Sequence, residues 1–298
     1  MTLRHRAEAW GVRGVTAVLR AMPVSRVRQA GAGLGRLAHA LDAKHRAVAL
    51  DNLARAFPSR PPAERQALAR RVFEHFGSLL FELLKFGTLS HQEMLALCDI
   101  EGEERVRQAY AQGRGVLFFT GHFGYWEMQG LVQALRFEPL SVLARPLDNP
   151  LLHAELERIR HRTGNTVIYR QGAVRRVLRE LSHNHGVGML IDQHLQTDVV
   201  PVDFFGRRAA TTSALAALAL RTGAPVIPAF AVPLPGGRYR IIYEHPVQPP
   251  PADAPDAVRV FTQRCTDVLE MYVRRYPELW LWMHRRWRQE ARVEGADA

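Results

Sequence analysis

The chain has 298 residues, a formal net charge of +11 at pH 7 and two cysteines. A chain of this length can bury a substantial core, and no Ser/Gly/Pro-rich linker divides it, so a single domain spanning residues 1–298 is predicted. Cys98 and Cys265 stand far apart without metal-ligand spacing, which argues against a disulfide framework and favours a reducing compartment.

The positive charge comes almost wholly from arginine, because Lys44 and Lys85 are the only lysines among 40 basic residues. Nucleic acid, anionic lipid and an acidic carrier protein would each neutralise such a surface, and composition does not choose among them. A nucleic-acid-binding protein is the alternative from a different functional class. It is disfavoured because the arginines are dispersed through predicted helices, without a helix-turn-helix, zinc-finger or aromatic RNA-binding motif.

Residues 1–41 are predicted to form amphipathic helices. The chain has no run of about 18 or more apolar residues, so no segment is typical of a transmembrane helix. Arg13 and Arg20 interrupt the apolar part of residues 1–22, which is not typical of a cleavable signal peptide. Such helices lie in a membrane interface or pack on the core of their own protein, and both alternatives stay open. Their apolar positions are Trp10, Val15, Val18, Leu19, Met22, Leu34, Leu37, Ala38 and Leu41.

Helix is predicted for most of residues 1–100, with breaks at Pro23 and at residues 58–62. A wide apolar stripe at helical spacing runs from Val72 to Leu84. This stripe is predicted to face the core, although a surface so rich in Phe and Leu would also suit an acyl-chain groove. Its members are Val72, Phe73, Phe76, Leu79, Leu80, Leu83 and Leu84.

The pattern changes at Val116, where short apolar runs begin to alternate with helical segments. This alternation predicts an α/β layered fold with a largely parallel central sheet flanked by helices. Sites in such sheets form beyond the carboxyl ends of the strands. The predicted strands are 116–120, 140–144, 166–169, 187–192, 226–232 and 239–243, and the predicted helices lie near 127–136, 150–163, 173–184, 211–222 and 256–274.

The most informative motif is Gly-His-Phe-Gly-Tyr-Trp-Glu at residues 121–127, directly after the first of these strands. A histidine in a turn and a carboxylate five residues later supply a base and the group that orients it, which is the chemistry of hydroxyl activation. Positions five apart on one helix diverge by about 140°, so His122 is predicted in the turn, with the helix starting between Phe123 and Tyr125. Glu127 then reaches the imidazole from the first helical turn. The simpler alternative is that His122 only caps the helix beside a buried carboxylate.

Further sequence blocks follow this motif in order. They are residues 145–150, 191–193, 202–206, 222–228 and 282–287, with Asp51-Asn52-Leu53 and Phe57-Pro58 upstream. Together, over about residues 20–288, they resemble the bacterial lipid A biosynthesis acyltransferases, the family of lauroyl and myristoyl transferases. The His/Glu motif alone is shared with many acyltransferases, whereas the ordered set is specific.

The resemblance implies a glycerolipid-acyltransferase-like fold and an O-acyl transfer that needs no cofactor. The donor would be an acyl-acyl carrier protein, and the acceptor a hydroxyl on a 3-hydroxyacyl chain of a lipid A precursor. His122 would take the hydroxyl proton, and Glu127 would accept a hydrogen bond from the other imidazole nitrogen. The enzyme would work at the cytoplasmic face of the inner membrane, as a peripheral or monotopic protein.

Two neighbouring chemistries stay open. The same transfer onto another glycolipid, such as a phosphatidylinositol mannoside, would use the same motifs, and the same base could activate water to hydrolyse the thioester. No Gly-x-Ser-x-Gly elbow is present to supply a serine nucleophile. A metal site is not predicted, because His122 and Glu127 do not form His-Glu-x-x-His and no third ligand stands at a fixed spacing.

Four polar residues are predicted to bind substrate. Arg145 and Arg160 are candidates for phosphate on the acceptor or carrier. Asp192 and Gln193 follow a predicted strand, so they are expected to share a cleft with His122 and to hold sugar hydroxyls. Their alternative role is to terminate that strand with local hydrogen bonds.

Two further segments combine apolar and cationic side chains. Phe204, Phe205 and Arg207 are predicted to contact the acyl chain and a headgroup, although the phenylalanines would also suit the core. The Trp/Arg-rich segment 277–288 suits a bilayer interface, and equally a tail whose tryptophans cover the core.

Overall fold

The computed structural model describes residues 2–169, 172–193, 198–251 and 254–287. Its first third is helical, as predicted, with breaks at Pro23 and before Pro62. Pro62 is the first residue of its helix, where its missing N–H removes no intrahelical hydrogen bond. The helices are α1 (Leu3–Ala21), α2 (Val24–Leu41), α3 (Ala43–Ala56), α4 (Pro62–Phe86) and α5 (His91–Ala96).

Helix α2 packs backbone to backbone on α4. A Cβ atom added at Gly31 would lie 2.6 Å from the carbonyl oxygen of Gly77, so only glycine allows this approach. Val27, one turn before Gly31, is fully buried. Helix α2 is therefore part of the folded core.

The outer faces of α1 and α2 leave large apolar side chains in solvent. Leu3 and Trp10 are 84% and 70% exposed, whereas Leu19, on the inner face of α1, packs with Leu84 of α4. Each helix thus packs through one face and leaves a second apolar face uncovered. Within the described ranges, no helix is both long and apolar enough to span a bilayer. The exposed residues are Leu3, Trp10, Val18, Leu34, Leu37 and Leu41.

The rest of the described chain forms an α/β layered fold around a seven-stranded sheet. Its strands are β1 (Cys98–Glu101), β2 (Val116–Thr120), β3 (Leu140–Leu143), β4 (Thr166–Ile168), β5 (Gly186–Leu190), β8 (Val226–Pro233) and β9 (Tyr239–Tyr243), in the spatial order β1-β9-β8-β2-β5-β3-β4. Two more strands, β6 (Val199–Phe204) and β7 (Arg207–Thr212), form a separate antiparallel hairpin. Every pairing in the large sheet is parallel except β8 with β9, which confirms the predicted fold class.

Five of the helices around the sheet agree with the predicted segments to within a few residues: α7 (Trp126–Arg136), α8 (Pro150–His161), α9 (Ala173–Ser182), α10 (Ala214–Thr222) and α11 (Ala257–Arg275). A short helix, α6 (Glu103–Tyr110), was not predicted. Strand β1 and the β6–β7 hairpin were not predicted. Ile100 is the only branched aliphatic residue of β1, and Pro201 interrupts β6, so their strand character comes from pairing rather than from an apolar run.

The order of the strands decides where the site lies. Strand β2 is wholly buried and pairs with β8 on one side and β5 on the other. Because β2 and β5 are parallel and pair Thr120 with Leu190, the chain leaves both strands at the same edge. The segments carrying His122 and Asp192 therefore meet there, as predicted.

The C-terminal segment packs inside the protein. Trp280, Trp282 and Trp287 are all buried against the core. The packing alternative is thus correct for these tryptophans, and the membrane alternative is wrong for them. Arg288, the last residue of the predicted segment, lies outside the described residues.

Candidate active site

A tight turn carries His122 out of the sheet. Strand β2 ends just before His122 and α7 starts at Trp126, so Glu127 lies in the first helical turn, as predicted. Gly124 has a φ of 58°, in the left-handed region that favours glycine. A Cβ atom there would also collide with the carbonyl of Ala231, so the turn requires its second glycine.

The C-terminal segment holds this turn from inside the protein. The backbone N–H of Leu281 donates to the carbonyl of His122 at 3.1 Å, and that of Gly124 donates to Leu279 at 2.9 Å. These bonds resemble the pairing of a short antiparallel strand. They fix the backbone on both sides of the imidazole.

The partner of the imidazole is Asp192. Its Oδ1 lies 2.8 Å from His122 Nδ1, and its Oδ2 accepts from the His122 backbone N–H at 2.6 Å and from Trp280 Nε1 at 2.8 Å. Asp192 is only 3% exposed. The prediction that Glu127 accepts the imidazole hydrogen bond is therefore wrong in this structure, because the buried carboxylate on the neighbouring strand has that position. Both oxygens of Asp192 are buried and accept hydrogen bonds within the protein, which favours its alternative role in local hydrogen bonding; its predicted contact with sugar hydroxyls stays a prediction.

This pairing determines the tautomer of His122. A carboxylate accepts hydrogen bonds, so Nδ1 carries the hydrogen and Nε2 keeps its lone pair. The amide nitrogen of Gln193 lies 3.1 Å from Nε2, and its side chain is exposed. The basic nitrogen is therefore directed away from Asp192, toward solvent-accessible Gln193.

The charges around His122 favour the imidazolium. Burial alone lowers the pKa of His122, but the charge and hydrogen bond of Asp192, with a further contribution from Glu127, raise it above its usual value. Burial alone raises the pKa of Asp192, yet the imidazole and the hydrogen bonds to its carboxylate hold that pKa below its usual range. The pair is thus arranged to accept a proton at Nε2 while Asp192 stays ionised.

Glu127 pairs with Arg160 of α8. Arg160 Nε donates to Glu127 Oε2 at 2.9 Å, and a second guanidinium nitrogen bonds the other oxygen. Both side chains are largely buried. No hydrogen bond joins Glu127 to His122 among the described residues, so Glu127 acts on the imidazole through its charge. Two nitrogens of Arg160 are committed to this carboxylate, and its predicted role in phosphate binding stays a prediction.

Arg145 lies at the surface beyond β3. Its side chain is 86% exposed and stands 3.6 Å from Asp148. In the described part of the chain no contact joins it to His122. Its predicted role in phosphate binding stays a prediction.

The Phe204-Phe205-Gly206 turn belongs to the core. Phe204 and Phe205 are buried, and their rings pack against Trp280 and Trp282. The core alternative is therefore correct for both rings. Arg207 begins β7, where it pairs with Phe204.

Two tryptophans contact the catalytic candidates without having been predicted to do so. The ring of Trp126 meets the His122 imidazole edge-on at 5.3 Å between centroids, and Trp280 donates to Asp192. A tryptophan that packs in the core normally needs an acceptor for its indole N–H, and this need is the signal that could have pointed to Trp280. Over the described ranges, no group of three His, Cys, Asp or Glu side chains is placed to hold a metal ion.

Known proteins resemble this chain over most of its length. The lipid A biosynthesis lauroyltransferase of Escherichia coli (strain K12) is 27% identical over 285 residues, covering 95% of this chain and 91% of that enzyme. The palmitoleoyltransferase of lipid A biosynthesis from the same strain is 25% identical, covering 87% and 83% of the two chains. The phosphatidylinositol mannoside acyltransferase of Mycobacterium tuberculosis (strain ATCC 25618 / H37Rv) is 29% identical, covering 59% and 58%.

A family profile described as bacterial lipid A biosynthesis acyltransferase matches residues 1–289. That match includes the turn with His122 and Glu127, the strand end with Asp192 and the C-terminal tryptophans. With the parallel sheet and the matched relatives, it shows that this chain belongs to the bacterial lipid A biosynthesis acyltransferase family.

Proposed function

We propose that this acyltransferase moves a fatty acyl chain from acyl-acyl carrier protein to a hydroxyl of a lipid A precursor. The observation that carries the proposal is the geometry of His122. Its Nδ1 is held by buried Asp192, and its Nε2 presents a lone pair beside exposed Gln193. That arrangement suits a base that activates a hydroxyl.

The acceptor hydroxyl takes the place of the Gln193 amide against Nε2. As the hydroxyl oxygen attacks the thioester carbonyl, Nε2 accepts its proton, and Asp192 stabilises the imidazolium. The tetrahedral intermediate then collapses with cleavage of the C–S bond. The proton passes from His122 to the leaving thiolate, so the products are an ester and the free carrier thiol.

Glu127 supplies a second negative charge to this step. Because its carboxylate is fixed by Arg160, it raises the pKa of His122 without competing for the imidazole hydrogen. The catalytic assignment to His122 and Glu127 is thus supported by position and charge.

The net charge of the protein is compatible with an acidic carrier protein as donor, as it is with an anionic lipid surface. A net charge of +11 attracts an acidic partner and steers its approach. Water could replace the acceptor at Nε2, so thioester hydrolysis is the competing outcome.

We propose that the protein associates with the cytoplasmic side of the inner membrane, and the exposed face of α1 supports contact with a membrane surface. Leu3, Trp10 and Val18 lie on this face, and Arg13 stacks near Trp10. Apolar side chains flanked by arginines suit a lipid surface with anionic headgroups. The inner face of α1 packs on the protein, so association need not disturb the fold.

In the test, purified protein is incubated with dodecanoyl-acyl carrier protein and either a lipid A precursor or a phosphatidylinositol mannoside. We expect mass spectrometry to detect one added acyl chain on the lipid A precursor, and none with His122→Ala. Release of free fatty acid without acylated lipid would contradict the proposal in favour of hydrolysis. If only the phosphatidylinositol mannoside were acylated, it would replace the lipid A precursor as the proposed acceptor.

A further inference from the structure

A row of polar side chains extends from the site along one face of α8. His153, Glu157 and Arg160 lie at positions i, i+4 and i+7, which share a helix face. Arg160 joins the row to the site through Glu127. Tyr169, just beyond β4, completes it: its hydroxyl lies 3.0 Å from His153 Nε2 and donates to the Glu157 carboxylate.

These groups are neither buried nor saturated. His153, Glu157 and Tyr169 are all partly exposed. Glu157 is 29% exposed, and a carboxylate offers about four acceptor positions. It can therefore accept hydrogen bonds from a polar ligand while it keeps the one from Tyr169.

The charges select the kind of ligand. The charge of Arg160 is offset by Glu127 in a two-point ion pair, whereas Glu157 adds a further negative charge. Their sum disfavours an anion such as phosphate. A neutral group rich in hydroxyls fits, because a carboxylate accepts from hydroxyls while the phenol and imidazole can both donate and accept.

Neighbouring side chains of α7 separate this row from an apolar region. Glu127 points to Arg160 of α8, whereas Trp126 contacts Phe76 of α4, with ring centroids 6.2 Å apart. One turn along α4, Leu80 is 50% exposed. His122 thus has polar groups in one direction and apolar groups in another, which suits a lipid with a polar head.

We propose that His153, Glu157 and Tyr169 form a subsite for the sugar headgroup of the acceptor. The inference rests on the proposed function and refines it. The subsite holds neutral sugar hydroxyls, while the reacting hydroxyl reaches His122. The negative charge of Glu157 disfavours phosphates of the same acceptor at this subsite.

The experiment compares two detergent-dispersed acceptors with one donor. One is a glucosamine-headed lipid with a free 3-hydroxyacyl chain, and the other is the methyl ester of the same 3-hydroxy fatty acid. We expect Glu157→Gln and Tyr169→Phe each to lower kcat/KM for the sugar-headed acceptor about tenfold, because a hydrogen bond to a charged group is lost or weakened. Transfer to the methyl ester and KM for the donor should change less than twofold.

Glu155→Gln is the matched control, because Glu155 lies on the same helix and pairs with Arg158 instead. If Glu157→Gln lowered kcat/KM equally for both acceptors, the row would only support Arg160, and the subsite would be refuted. The subsite would also be refuted if inorganic phosphate inhibited the wild type and Glu157→Gln abolished that inhibition. If the wild type acylated neither these two acceptors nor a lipid A precursor, the proposed function and this subsite would both be refuted. If the variants transferred acyl chains with the sugar preference of the wild type, the subsite alone would be refuted.

Discussion

Replacing Asp192 by Asn tests the central pair most directly. Asp192 receives three hydrogen bonds, two at Oδ2 and one at Oδ1. Asparagine has only one acceptor oxygen. Placed at the Oδ2 position, that oxygen keeps the bonds from the His122 backbone and Trp280. The amide NH₂ group then faces Nδ1, which must present its lone pair, so the imidazole hydrogen moves to Nε2 and the base is lost.

The expected loss is large for activity and small for stability. An equivalent exchange of tautomer in a serine protease lowers kcat about 10⁴-fold, so we expect a fall of about 10³ to 10⁴, or about 4 to 5.4 kcal/mol in the barrier. The charged hydrogen bond at Nδ1 is replaced by a neutral one, which lowers the free energy of unfolding by at most about 1.5–3 kcal/mol. The Asn side chain fills the same volume, so the variant should stay folded at 25 °C.

The assay is steady-state acyl transfer followed by mass spectrometry, with circular dichroism for folding and ¹⁵N NMR for the tautomer of His122. Asp267→Asn, on the exposed side of α11, is the control. The pH profile adds a second readout. Because Asp192 raises the pKa of His122, the acidic limb of kcat/KM should move to lower pH in any residual activity of the variant. A folded Asp192→Asn protein with kcat within threefold of wild type would refute the reasoning.

Three further predictions concern the base, the membrane and the donor. His122→Ala and Glu127→Ala should each abolish most transfer in a folded protein, and the double variant should be little worse, because the effects of residues that act as one unit do not add. If the two losses in kcat added, the residues would have independent roles. The double variant Leu3→Ser/Trp10→Ser should bind anionic vesicles at least about tenfold more weakly, since each apolar side chain buried in the membrane contributes about 1.5–3 kcal/mol, and its Tm should be unchanged. Unchanged sedimentation with vesicles would show that this face is not the anchor. Added salt should lower the rate of transfer from acyl carrier protein mainly by raising KM for this donor, because salt screens charges beyond about 10 Å at 0.1 M. The same salt dependence with a coenzyme A thioester would argue against recognition of the carrier.

The local architecture of the site could be read from the sequence. A buried strand, two glycines and a following helix are properties of neighbouring residues, so the placement of His122 in the turn and of Glu127 in the first helical turn was predictable. The same holds for most strands of the sheet, whose apolar runs mark burial on both faces. Strand β1 has no such run, and only its pairing with β9 makes it a strand.

The choice of partners within the site was not predictable. The motif suggested Glu127 as the partner of His122 because it is near in sequence, yet the imidazole hydrogen bond goes to Asp192. Both carboxylates lie close to the imidazole charge. Which one accepts its hydrogen depends on the direction of each side chain, and Arg160 turns Glu127 toward α8.

The sequence by itself determined the elements of this protein and the residue types that the chemistry needs, because hydrophobic period, turn glycines and the His/Glu spacing act over a few residues. The tertiary structure alone decided which of those residues touch. Strand β5 lies beside β2, which brings Asp192 to His122, and the C-terminal segment folds back so that Trp280 reaches the same carboxylate. Such contacts join positions about 70 to 90 residues apart, and they form only when the order of the strands and the packing of the whole core bring those positions together.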